Sequence, residues 1–127
     1  MKFATVAPGA GRDAVRERQR RGRANAPLLR DRYPRLNSLK LDFDFSDNTE
    51  FLPSPLVTVF HPPARAYFCF ACPYSDCDGE FDLTSPVDLA VASGDPETAG
   101  QLRCAGTRHR GVACTLCLDY LISTGRS

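Results

Sequence analysis

The stretch AYFCFACPYSDCDGEFDL (residues 66–83) decides how this chain is read. Its apolar, aromatic-rich flanks, residues 66–72 and 79–83, predict two strands. Between them Pro73 presets a turn backbone and Gly79 relieves crowding where the chain reverses. A turn so built can aim Cys72 and Cys77 at one point. A second thiol cluster follows in GQLRCAGTRHRGVACTLCLDY (residues 100–120), where Cys104 and Cys114 frame a long loop and Cys117 comes three residues later.

Two thiol pairs on two hairpins are what one tetrahedral structural zinc needs. The N-terminal stretch lacks the unbroken apolar run of about 7–15 residues that a signal peptide carries. No run approaches the ~20 apolar residues of a membrane span. A cytoplasmic, non-membrane protein is therefore expected, and in a reducing compartment clustered thiols point to metal rather than disulfides.

Six thiols exceed four ligands, which leaves two sets open. Cys72, Cys77, Cys104 and Cys114 place each pair at the base of a hairpin loop, and this set accounts for the Pro- and Gly-bearing turn. Cys69, Cys72, Cys114 and Cys117 have the more common Cys-x2-Cys spacing. The first set is preferred. Cys69 lies between Phe68 and Phe70 in a predicted strand, where a thiol serves as a small apolar residue. Cys114 and Cys117 have opposite strand parity. Cys69, Cys117 and His109 remain the alternates.

The Cys72–Cys77 stretch resembles the knuckle of zinc-ribbon proteins, and also the Cys-Pro-x-x-x-Cys segment of between-RING zinc domains. The resemblance covers residues 66–122, and it departs from a ribbon at Cys104-x9-Cys114, where a second short knuckle is usual. Other sharp readings fail on spacing. A calcium loop counted from Asp76 puts Val87 where a carboxylate is required. Cys69-x2-Cys72 continues a strand instead of opening a redox helix. An all-thiolate site is closed, and no nucleophile–base set or phosphate loop is visible, so no enzyme and no small-molecule substrate is expected. The acidic run Asp76, Asp78, Glu80 and Asp82 reads as a solvated strand face.

Alternation of Leu39, Leu41, Phe43 and Phe45 with charged residues predicts a half-buried strand over 39–45. Residues 56–60, 100–104 and 111–122 complete a set of about six strands. Residues 86–92 read equally as a short helix or a loop rim, and 93–100 as a turn. Asn25 and Pro27 mark the start of a short helix that ends before Pro34. The expected fold is thus mainly β, a β-rich α+β arrangement. Its small antiparallel sheet has zinc-ribbon-like hairpins and one or two short helices.

The net charge of +1 hides a segregation. Residues 1–35 carry Lys2 and nine Arg against three acids, a net +7, whereas residues 36–127 carry −6. Residues 1–26 are accordingly expected as a flexible Arg-rich arm on a zinc-stabilised domain of residues 27–127. Arg16, Arg18, Arg20, Arg21 and Arg23, with Arg108 and Arg110 from the second loop, are candidate phosphate contacts, since a guanidinium donates two parallel hydrogen bonds. Non-catalytic binding of nucleic acid, RNA in particular, is the favoured function. The alternative is a protein-interaction or regulatory adaptor with a structural zinc, docking an acidic protein.

Overall fold

The computed structural model describes residues 10–47 and 55–126. The expectations for residues 1–9 and for the polar tract at 48–54 lie outside the described residues. The elements are α1 (Ala10–Asn25), α2 (Leu29–Arg32), β1 (Leu36–Ser46), β2 (Leu56–Phe60), β3 (Cys69–Ala71) and β4 (Glu80–Asp82). They continue with α3 (Thr84–Ser93), β5 (Glu97–Arg103), β6 (Thr107–Arg108), β7 (Val112–Ala113) and β8 (Cys117–Arg126).

β1 is the spine. Its Leu39, Leu41, Phe43 and Phe45 are buried on one face, as their alternation predicts. Burying such side chains is worth about 1.5–3 kcal/mol each. β1 pairs antiparallel with both β2 and β8, and β8 pairs with β5, giving the order β2-β1-β8-β5. Leu118 and Ile122 of β8 extend the buried face. Phe68, Phe81, Leu83 and Val87 close the core from the opposite side.

The expected sheet of about six strands is corrected: the described residues form eight strands in three sheets. β3–β4 and β6–β7 are separate two-stranded hairpins. The strand expected over 111–122 breaks at Cys114–Leu116, where the Cys104 amide donates to the Leu116 carbonyl at 2.9 Å and the Cys114 amide to Gly106 at 3.0 Å. These bonds turn Cys114 out of any continuous strand. Residues 97–100, expected within a turn, belong to β5. Residues 86–92 fall inside α3, whose first turn is capped by the Asp82 carboxylate accepting from the Thr84 amide at 2.9 Å. Gly94 ends that helix at φ 78°, a left-handed conformation that favours glycine.

Of the stretch 1–26 expected as a flexible arm, Ala10–Asn25 form helix α1. Arg, Gln and Ala are good helix formers, and Glu17 pairs with Arg20 and Arg21 one turn on. Among its described side chains Val15 and Gln19 are buried, and Gly22 admits the Tyr67 ring, where a Cβ would stand 2.6 Å from the ring. That i, i+4, i+7 stripe carries only one apolar side chain of any size, so hydrophobic periodicity misses it. Gln19 Nε2 donates to the Cys69 carbonyl at 3.3 Å and to Glu80 at 3.1 Å. Arg18 Nε donates to Glu80 at 3.0 Å. The helix is thereby tied to the hairpin that carries Cys72 and Cys77. Among the described residues no helix is long and apolar enough to cross a membrane.

Candidate metal centre

Cys72 leaves β3 and Cys77 precedes β4, while Cys104 follows β5 and Cys114 follows β7. Two hairpin ends thus converge from opposite sides of the core edge. The structure brings the sulfurs of Cys72, Cys77, Cys104 and Cys114 within 4.8 Å of one another, all buried. Cys77 and Cys104 stand 3.6 Å apart and Cys72 and Cys114 3.9 Å. Four thiolates held about 2.3 Å from one tetrahedral zinc lie ~3.8 Å from each other. The cluster is geometrically compatible with a single structural Zn2+. All six cysteines are free thiols.

The backbone fits the same reading. The Gly79 amide points at the Cys77 sulfur at 3.3 Å and the Gly106 amide at the Cys104 sulfur at 3.4 Å. The Tyr74 amide does the same for Cys72 and the Leu116 amide for Cys114. Each sulfur therefore receives an N–H two residues downstream, the kind of outer-shell donor that stabilises thiolate ligands. The repeated Cys-x-Gly at 77–79 and 104–106 is the sequence signal for it, and spacing between cysteines alone passes over it.

Electrostatics within the cluster are uneven. Hydrogen bonds from Cys72 foremost, opposed by burial and aided by the Gly106 amide, hold the Cys104 thiol down to about 5. Cys72 is pushed up, first by its hydrogen bond to Cys104 and then by burial. Burial pushes Cys77 up to about 12 and raises Cys114 as well. Of the four, Cys104 alone is held low, and a bound dication would supply the charge that lets Cys72, Cys77 and Cys114 ionise as ligands.

The alternates sit elsewhere. Cys69 lies across from Asp82 on the β3–β4 ladder, its thiol raised to about 11 by burial and then by that carboxylate. Cys117 is half-buried in β8, opposite Ser46 and Arg103. His109 is exposed in the tight turn between β6 and β7.

Of the acidic run expected as a solvated face, Asp78 and Asp82 are exposed and Asp76 and Glu80 half-buried, and its carboxylates are hydrogen-bonded as well. Asp76 accepts from Arg108 Nε at 3.0 Å and from the His109 amide at 3.2 Å, and Arg108 lies over the Tyr74 ring at 4.0 Å. Asp78 accepts from the Thr107 amide at 2.7 Å. Asp47 joins Tyr74, at 2.7 Å, to Thr115, at 3.0 Å. These carboxylates fasten one cysteine hairpin to the other around the sulfur cluster. Burial alone would raise Asp76, yet Arg108 and the His109 amide hold it below the usual carboxylate range.

No known protein family, curated protein or solved structure matches the chain. Its reading rests on its own geometry.

Among the arginines, Arg18 is engaged by Glu80 and Arg108 by Asp76 and Tyr74. Arg16, Arg20, Arg21, Arg23 and Arg110 are exposed. Among the described residues Arg16 and Arg20 pair with Asp13 and Glu17 on their own helix, at 4.0 and 2.6 Å. Arg23 lies against the Tyr67 ring at 5.3 Å.

Proposed function

We propose that this is a non-catalytic zinc protein that binds single-stranded RNA through an exposed flank of α1. The observation carrying this reading is the stripe of Arg16, Arg20 and Arg23, spaced i, i+4, i+7 and exposed, on a helix whose adjacent face is held by Gln19 and Arg18 to the cysteine hairpin. Surface ion pairs such as Arg16–Asp13 and Arg20–Glu17 are worth little, so phosphate can displace them. Guanidinium groups at that spacing suit successive phosphates along one strand. Arg18 and Arg108 serve as anchors in this reading, and Arg21 and Arg110 widen the basic surface. The sulfur cluster supplies rigidity, since closed thiolate sites are structural.

The test replaces Arg16, Arg20 and Arg23 with Ser and measures affinity for a single-stranded RNA from low to moderate salt. Each phosphate contact contributes about −0.7 to the log–log salt slope, so losing three flattens it by about 2. Equal slope and equal affinity in both proteins would sink the proposal.

A further inference from the structure

Carboxylates engage Arg18, Arg20, Arg32 and Arg108, whereas among the described residues none engages Arg23 or Arg65. Those two arginines meet where the end of α1 joins the loop before β3. Arg23 Cζ lies over the Tyr67 ring, 5.3 Å from its centroid. Arg65 Nη1 donates to the Ala26 carbonyl, just past the end of α1, at 2.8 Å.

The backbone fixes this junction. The Ala66 amide donates to the Pro27 carbonyl and the Leu29 amide to the Ala64 carbonyl, each at 2.7 Å, so residues 64–66 run alongside 27–29. Ala66 is buried, which leaves exposed Arg65 and half-buried Tyr67 on the outer side. Gly22 then sets the ring: a Cβ there would stand 2.6 Å from the Tyr67 Cε1 and 3.2 Å from Cζ and Oη. The helix braces the ring along that side, and the Arg23 guanidinium covers its face. An aromatic ring held in place between unpaired guanidinium groups is the arrangement that receives unstacked bases of a single strand.

We propose that Tyr67 is a nucleobase-stacking site at the C-terminal end of the arginine stripe, which rests on the single-stranded RNA reading of α1. A base of the bound strand replaces the Arg23 guanidinium on the ring, Arg23 turns to an adjoining phosphate, and Arg65 takes another. An exposed cation–π contact is weaker than a base–aromatic stack, so the exchange favours the base. The displaced guanidinium has no carboxylate to return to, and phosphate oxygens accept its paired donors. Arg65 uses one donor on Ala26 and keeps the rest of its fork for the strand. Every base has a π face, so the site adds affinity without selecting a sequence.

Fluorescence anisotropy of a labelled oligouridylate with the zinc-loaded full chain, from low to moderate salt, tests this. Tyr67→Leu should bind roughly tenfold or more weakly at every salt concentration, with the wild-type slope, because a lost stack removes no phosphate contact. Tyr67→Phe keeps the ring and should bind like wild type. The chain has no tryptophan, so emission from Tyr67→Trp reports this position alone, and base stacking should quench it. A ring that only braces α1 would loosen the stripe when replaced, so a flattened slope in Tyr67→Leu overturns the proposal. Wild-type affinity in Tyr67→Leu, or no quenching in Tyr67→Trp, overturns the stacking site but leaves the arginine stripe standing. A wild-type chain that binds no RNA overturns both.

Discussion

Gly79 and Gly106 lie back to back at the sulfur cluster: a Cβ on Gly79 would stand 3.0 Å from the Gly106 Cα, and one on Gly106 2.5 Å from the Gly79 Cα. Each glycine also faces the other knuckle's sulfur, Gly79 toward Cys104 and Gly106 toward Cys77. The reciprocal contact lets the two hairpins close to sulfur–sulfur distances that a tetrahedral ion accepts.

Gly79→Ala and Gly106→Ala should therefore each push the hairpins apart. We expect a cost of about 1–3 kcal/mol in stability and weaker zinc retention, because overpacking forces backbone shifts. Thermal melts and chelator competition measure both. Wild-type behaviour in both variants would mean that the close approach does not hold the site.

Serine substitution separates the ligand sets. Cys72→Ser, Cys77→Ser, Cys104→Ser and Cys114→Ser should each lose stoichiometric zinc by native mass spectrometry, and with it the folding energy coupled to the metal. Cys69→Ser and Cys117→Ser should keep one zinc. Loss of zinc in Cys69→Ser with retention in Cys77→Ser would reverse the assignment.

Zinc uptake should release about three protons near neutral pH. Cys72, Cys77 and Cys114 have raised values and are protonated there, whereas Cys104, held to about 5, is already a thiolate. Affinity should rise roughly a thousandfold per pH unit around neutrality and fall as the solution is acidified. Calorimetry in buffers of different ionisation enthalpy counts the protons. A count near zero would contradict the charge distribution drawn for the cluster.

Asp76→Asn should loosen the clasp between the hairpins, costing about 1–2 kcal/mol as charge-assisted bonds to Arg108 are lost. Because the Asp76 value is depressed on folding, its contribution is complete above the unfolded value of about 4 and is lost as pH falls through the folded one. Urea midpoints of wild type and variant should converge below that range. A constant gap down to acid pH would argue that Asp76 acts without its charge.

Glu80→Ala should free α1, since Glu80 accepts from both Arg18 and Gln19. Amide exchange in residues 13–24 should accelerate while β1 and β8 stay protected. Unchanged exchange in the helix would show that Val15 and the Tyr67–Gly22 contact suffice to hold it.

Local chemistry made much of this protein legible from its sequence. Alternation over 39–45 marks the central strand, and the β-branched run 56–60 marks β2 to the residue. The four cysteines that converge are the set that hairpin geometry favours over the commoner spacing. Each of these depends on near neighbours in the chain, where strand period and turn stereochemistry operate. The tertiary structure decided the rest. Val15, Gln19 and Gly22 become a docking face only because Tyr67 and Glu80 stand opposite them, some 45 to 61 residues along the chain. Asp76 and Asp78 become fasteners only where Arg108 and Thr107 meet them. A carboxylate or an amide has no directional preference in the sequence; its role is set by the partner that folding brings within hydrogen-bond reach.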